Sequence, residues 1–125
     1  MSKTPKLKII IGHLGELLPF WCWRIDHRIH KEGWDGDVAA QNGRPRELSV
    51  TEYLKRNIYI TTSGVFNTPA LDHAMKVMGP DRGMYSVDYP YEDNAEANEW
   101  FKTLDYTPGV LESIAYGNAK KLLKL

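Results

Sequence analysis

The sequence predicts an α/β fold with a parallel sheet, and three observations carry that expectation. Three runs rich in β-branched, apolar or aromatic residues recur along the chain, KLKIIIGH (6–13), NIYITTSG (57–64) and RGMYSVDY (82–89). Each is followed by a segment with apolar residues at helical spacing. Each also turns polar just where it ends. Strands alternating with amphipathic helices imply right-handed crossovers between parallel strands, with helices covering the sheet.

Each element has a local reason. In the first run three consecutive Ile lie between a basic entry and Gly12, the pattern of a fully buried parallel strand. From Leu18 onward Leu18, Trp21, Cys22, Ile25 and Ile29 repeat at helical spacing, Pro19 suits a first turn and Gly33 stops the run. Trp34 to Leu48 carries two Gly, one Pro and scattered charges, which reads as a long surface loop. Ser49 is then the N-cap of a short helix over Thr51 to Arg56. After the second strand, Asn67-Thr68-Pro69 supplies a cap with Pro just inside. Leu71, Met75 and Met78 share one face of the helix that follows, until Gly79 ends it. Beyond the third strand, Asn94 to Lys102 and Pro108 to Tyr116 read as helices, and Ala119 to Leu123 as a last turn or two after Gly117.

Composition bounds the function. One hundred and twenty-five residues make a single domain. Sixteen Lys and Arg balance sixteen Asp and Glu, for a net charge of zero with no block of one sign, which argues against a nucleic-acid or anionic-membrane surface. At 42% hydrophobic residues the chain has the apolar content of a folded protein. Four Trp, seven Tyr and three Phe are many rings to bury in so short a chain, so a partner surface is expected. Single Cys22 excludes an internal disulfide framework and fits a reducing compartment, so a cytoplasmic location is expected. No apolar stretch approaches the roughly 20 residues of a membrane span, and no signal-peptide pattern follows Met1 to Lys8.

In parallel α/β folds the loops after the strands share one face, and chemistry collects there. Here those ends read Gly12-His13-Leu14-Gly15-Glu16, Thr61-Thr62-Ser63-Gly64 and Ser86-Val87-Asp88-Tyr89-Pro90-Tyr91-Glu92. His13 and Asp88 are the pair best placed for acid/base or metal chemistry. Both also have ordinary explanations, His13 as a hydrogen-bonded strand-end histidine and Asp88 as a helix cap. Glu16 lies where a helix start would favour a carboxylate whatever the function. His27 and His30 are three apart on a helix but lack a third ligand nearby. They, His73 and Cys22 read as structural or surface residues.

The motifs GHLGE, LPFW, WRIDHR, NIYITTSG, SVDYPYE and the closing YGNAKKLLKL together resemble a known family. They look like the C-terminal part of the amidohydrolase-related metal-dependent decarboxylases. That group acts on dihydroxybenzoates, γ-resorcylate and 5-carboxyvanillate and is related to aminocarboxymuconate semialdehyde decarboxylase. The likeness runs from Leu7 to Leu125 in order and approximate spacing, and HxGE paired with SVDYP some 70 residues later is more specific than either alone.

The resemblance implies a (β/α)8 barrel, with residues 1–125 a single partial domain holding its last three βα units, strands six to eight. It implies that His13 and Glu16 form a hydrogen-bonded acid/base pair facing the substrate. Asp88 would be both a metal ligand and the group that passes a proton to the ring carbon losing CO2. Arg24 would contact the substrate acid and Tyr91 its ring. A divalent ion, Zn2+ or Mn2+, would hold a small aromatic carboxylic acid. The family's other metal ligands, an acidic residue and a His on the first strand and a His on the fifth, precede the position of His13. Residues 1 to 12 contain no His, Asp or Glu. The chain is therefore expected to be incomplete as an enzyme, and either to self-associate or to need an N-terminal half. The alternatives are a metal-dependent hydrolase of the same superfamily, in which Asp88 would activate a water, and a non-catalytic truncated fragment.

Overall fold

The computed structural model describes residues 6–31 and 48–125. The loop expected over Trp34 to Leu48 falls almost wholly outside them. Three strands, β1 (Ile9–Ile11), β2 (Ile58–Thr61) and β3 (Gly83–Met84), form one sheet in the order β1-β2-β3. Both pairings are parallel, with Ile10 opposite Tyr59 and Ile60 opposite Gly83. The α/β class and the parallel sheet are as the sequence predicts.

Helix α1 spans Leu18–Lys31, α2 Val50–Asn57, α3 Thr68–Met78 and α4 Asn94–Lys102. Helix α5 (Pro108–Glu112) runs through a π-helical turn over Ser113–Gly117 directly into α6 (Asn118–Leu123). Gly117 was expected to separate two helices, but its φ of −60° is ordinary helix. The start of α2 is fully accounted for. Ser49 Oγ accepts from the Glu52 N–H while the Glu52 carboxylate accepts from the Ser49 N–H, a capping box. Asp26, reaching across from α1, takes the other two free donors, the N–H groups of Val50 (2.8 Å) and Thr51 (3.2 Å). Asn67 caps α3 by accepting from the Ala70 N–H at 3.0 Å, and Gly79 ends it with φ +104°.

Ile58, Ile60, Leu71, Ala74, Met75, Met78, Leu104 and Ile114 form a core between the sheet, α3 and the C-terminal helices, with Leu14 from the first loop inserted into it. Tyr106 donates its hydroxyl to Asp72, tying the segment before α5 to α3. The strands are shorter than their β-rich sequence runs, because a ladder exists only where a neighbour pairs. β1 also departs from the fully buried strand expected, with Ile9 44% and Ile10 49% exposed.

The two sheet edges differ. Alternation along β3 turns the Gly83 C=O and Tyr85 N–H outward. The π-turn carbonyl of Ile114 accepts the Tyr85 N–H at 2.8 Å, and buried Asn118 donates its amide to the Gly83 and Pro80 carbonyls at 2.8 and 2.9 Å. The C-terminal helix thus covers part of that edge. On β1 the same alternation turns the Ile10 backbone outward, and no strand among the described residues pairs with it.

Candidate active site

The first strand ends in a tight turn. Gly12 leads into a 3-10 turn over His13–Gly15, closed by Gly15 N–H to Gly12 C=O (2.8 Å) and Glu16 N–H to His13 C=O (3.0 Å). His13, Leu14, Gly15 and Glu16 all have positive φ, at 49°, 54°, 82° and 56°. Such conformations strain residues other than Gly and persist only where their surroundings enforce them. Here buried Leu14 anchors the turn in the core. A side chain at Gly15 would lie 2.8 Å from Ile60 Cγ2, so the turn sits directly on β2.

This backbone swings Glu16 back over His13, placing its carboxylate 2.7 Å from His13 Nδ1. Glu16 is therefore not a helix-start carboxylate. Helix α1 begins two residues later, and the Glu16 side chain faces the imidazole.

The ends of β2 and β3 are stitched together and bring Asp88 to the same place. The Thr62 N–H donates to the Met84 carbonyl (3.0 Å), and Thr62 Oγ1 donates to the Ser86 carbonyl (2.8 Å) while accepting the Ser86 N–H (3.0 Å). The Gly64 N–H donates to the Val87 carbonyl at 3.2 Å. Asp88 follows with φ 84°, and its carbonyl accepts the N–H groups of Tyr91 and Glu92. Its carboxylate Oδ2 lies 3.3 Å from His13 Nε2. Residues 75 positions apart thus meet at one rim of the sheet, because parallel strands end together.

His13 is held at both ring nitrogens by carboxylates. The hydrogen bond to Glu16, and next that to Asp88, raise its pKa above the ordinary 6.5. As a cation it donates from both nitrogens. The His13 and Asp88 side chains are 44% and 35% exposed, open enough for a small molecule to reach.

The remaining candidates lie apart from this pair. Arg24 is exposed on α1 and makes none of the site's hydrogen bonds. Tyr91 is 87% exposed and joins the site only through its backbone bond to Asp88. His27 stacks on Trp23 at 4.7 Å and His73 lies against Phe20 at 5.9 Å, as structural residues would. Cys22 is buried and its thiol pKa is pushed up by that burial, the opposite of an activated nucleophile. Among the described residues no three His, Cys, Asp or Glu side chains converge to hold a metal. No helix among them is long and apolar enough to cross a membrane.

The sequence reading missed Gly64. It counted this residue only as a strand end, yet Gly64 lies against both His13 and Asp88.

An α/β sheet with acid/base groups gathered at its C-terminal rim is the arrangement of amidohydrolase-type barrels. The amidohydrolase family profile matches residues 1–125, and the chain belongs to that family. γ-Resorcylate decarboxylase of Polaromonas sp. JS666 is 39% identical over 124 residues, covering 99% of this chain and 36% of that enzyme. The decarboxylase orsB of Emericella nidulans is 40% identical over 129 residues, again covering 99% and 36%. Among solved structures, the Polaromonas dihydroxybenzoic acid decarboxylase with bound manganese and the inhibitor 2-nitroresorcinol superposes with a TM-score of 0.82 at 39% identity, covering 98% of this chain and 35% of that one. A manganese-bound 5-carboxyvanillate decarboxylase of Novosphingobium aromaticivorans gives a TM-score of 0.86 at 35% identity, with coverages of 98% and 35%. The chain thus spans about a third of the length of the relatives it matches.

Proposed function

We propose that residues 1–125 form a single partial domain supplying the last three βα units, strands six to eight, of a barrel that decarboxylates a hydroxylated aromatic carboxylic acid without oxidation. The observation that carries this reading is the His13 imidazole held between Glu16 and Asp88 at the rim of a parallel sheet. The named activities of the relatives favour decarboxylation over hydrolysis.

In this reading Asp88 delivers a proton to the ring carbon that bears the carboxylate. The C–C bond then breaks, its electron pair returns to the ring, and CO2 leaves. A carboxylate must be protonated to act so, and the N–H of cationic His13, 3.3 Å from Oδ2, is the nearby source. Glu16 keeps that imidazole charged and oriented. Arg24 and Tyr91 are assigned to the substrate carboxylate and ring.

The relatives' manganese supports a divalent ion in the assembled enzyme, Mn2+ or Zn2+, with Asp88 as this chain's ligand. The described residues of the chain alone do not make a three-ligand site.

The test is a chimaera in which this chain replaces the matching third of the Polaromonas γ-resorcylate decarboxylase. CO2 release from 2,6-dihydroxybenzoate in the presence of Mn2+, lost in His13→Asn and Asp88→Asn, is expected. A folded, metal-loaded chimaera that releases no CO2 would refute the reading.

A further inference from the structure

We propose that Gly64 is a positioning residue: the lack of a side chain at the end of β2 is what allows His13 and Asp88 to close on one another. The inference rests on reading those two residues as a working pair.

Three strand ends meet at the site, but only two contribute a side chain to the pair. The third contributes a gap. A Cβ placed on Gly64 would lie 2.8 Å from His13 Cδ2, 3.2 Å from His13 Nε2 and 3.2 Å from Asp88 Oδ2. Real Cβ atoms essentially never approach another heavy atom within 3.0 Å, so something would have to shift. The three atoms surround the Nε2···Oδ2 contact itself, so a methyl there acts as a wedge between the partners.

Retreat of either side chain breaks the contact between them. His13 is fixed by the turn that buries Leu14 and by its 2.7 Å contact with Glu16. The Asp88 backbone is fixed by the Thr62–Ser86 hydrogen bonds and by its own carbonyl, which accepts from Tyr91 and Glu92. Gly64 itself is tied down, donating to the Val87 carbonyl one residue before Asp88, and its φ of +68° independently favours glycine. The His13–Glu16 contact lies on the other side of the ring and is not among the atoms a Gly64 methyl would meet.

A control separates the wedge from the backbone penalty. Gly79 also has positive φ (+104°), and a Cβ there would lie 3.1 Å from Asp81 Oδ1, at the end of α3 rather than at the site. Gly64→Ala and Gly79→Ala therefore both strain the backbone, but only the first touches the pair.

Two measurements test the proposal. In the unaltered chain, the Gly64 hydrogen that points along the missing Cβ direction should give a strong NOE to His13 Hδ2. Its absence in a folded protein would overturn the proposal without any variant having to fold. In the active chimaera, Gly64→Ala should lower kcat by about 100-fold with little change in KM, because His13 is pushed off Asp88 and the proton supply fails while the substrate contacts remain. Gly79→Ala should leave both constants near those of the parent. Equal kinetic effects of the two variants, or a Gly64→Ala enzyme with unchanged kcat, would refute the positioning role. An inactive parent chimaera would count against decarboxylation, and the NOE would still decide the geometry.

Discussion

The start of α2 offers the sharpest energetic test, because every one of its first donors has a named acceptor. Asp26 accepts from Val50 and Thr51, and Ser49 accepts from Glu52. Asp26→Ala removes two charge-assisted hydrogen bonds and a negative charge from the positive end of the helix. Hydrogen bonds to charged groups contribute about 1.5–3 kcal/mol each, but water can reach these half-buried amides, so the expected cost is about 2 kcal/mol in total. Asp26→Asn keeps one acceptor oxygen without the charge and should lose about half as much. Ser49→Ala, which removes an ordinary cap, should cost about 1 kcal/mol. With a urea m-value near 2 kcal/mol/M, Asp26→Ala should lower the unfolding midpoint by about 1 M. Equilibrium urea unfolding followed by far-UV circular dichroism measures all three variants. Added salt should narrow the gap between Asp26→Ala and Asp26→Asn, since part of it is charge against a helix end. A loss for Asp26→Ala no larger than for Ser49→Ala would refute the claim that α1 caps α2.

Three further outcomes are expected. Glu16→Gln should lower the His13 pKa toward its ordinary 6.5 while Asp88 still holds it somewhat above, as read from the ring proton shifts by NMR. Because folded His13 binds its proton more tightly than the unfolded chain does, its contribution to stability is complete below about pH 6.5 and is lost as pH rises through the raised folded value. The extra stability of the parent over Glu16→Gln should therefore fade at alkaline pH in urea titrations, and a difference that grows with pH would contradict the assignment. Leu71→Ala, at a side chain with no exposure, should cost about 3 kcal/mol of unfolding free energy and lower the melting temperature in calorimetry. Asn118→Ala should cost about 2 kcal/mol by leaving the Gly83 and Pro80 carbonyls without a donor, and hydrogen exchange at the Tyr85 amide should speed up.

Much of this architecture was legible in the sequence because its signals are local. The Ser49 cap, the Asn67-Thr68-Pro69 start and the Gly79 stop each act within one helical turn, and α2 and α3 lie where those residues place them. The meeting of His13 with Asp88 was legible for a different reason: parallel strands carry their ends to one side, so position in the chain stands in for position in space. Strand lengths were not, since β propensity extends past the residues that find a ladder partner. Positive φ at His13, Leu14, Glu16 and Asp88 left no mark either, because the surrounding fold imposes it rather than a local turn signal. Gly117 misled in the opposite direction, a glycine without a break. Asp26 and Gly64 act on residues distant in sequence, and nothing adjacent to either announces its partner.

A sheet with one edge partly covered has a direction of growth. Asn118 and the Ile114 carbonyl occupy two of the outward groups of β3, the Gly83 C=O and the Tyr85 N–H, so the C-terminal helix already covers part of that edge. Among the described residues β1, with Ile9 and Ile10 exposed beside Leu7, presents the more open edge. In the barrel we propose, the strand that precedes β1 would pair there without displacing any helix of the described residues.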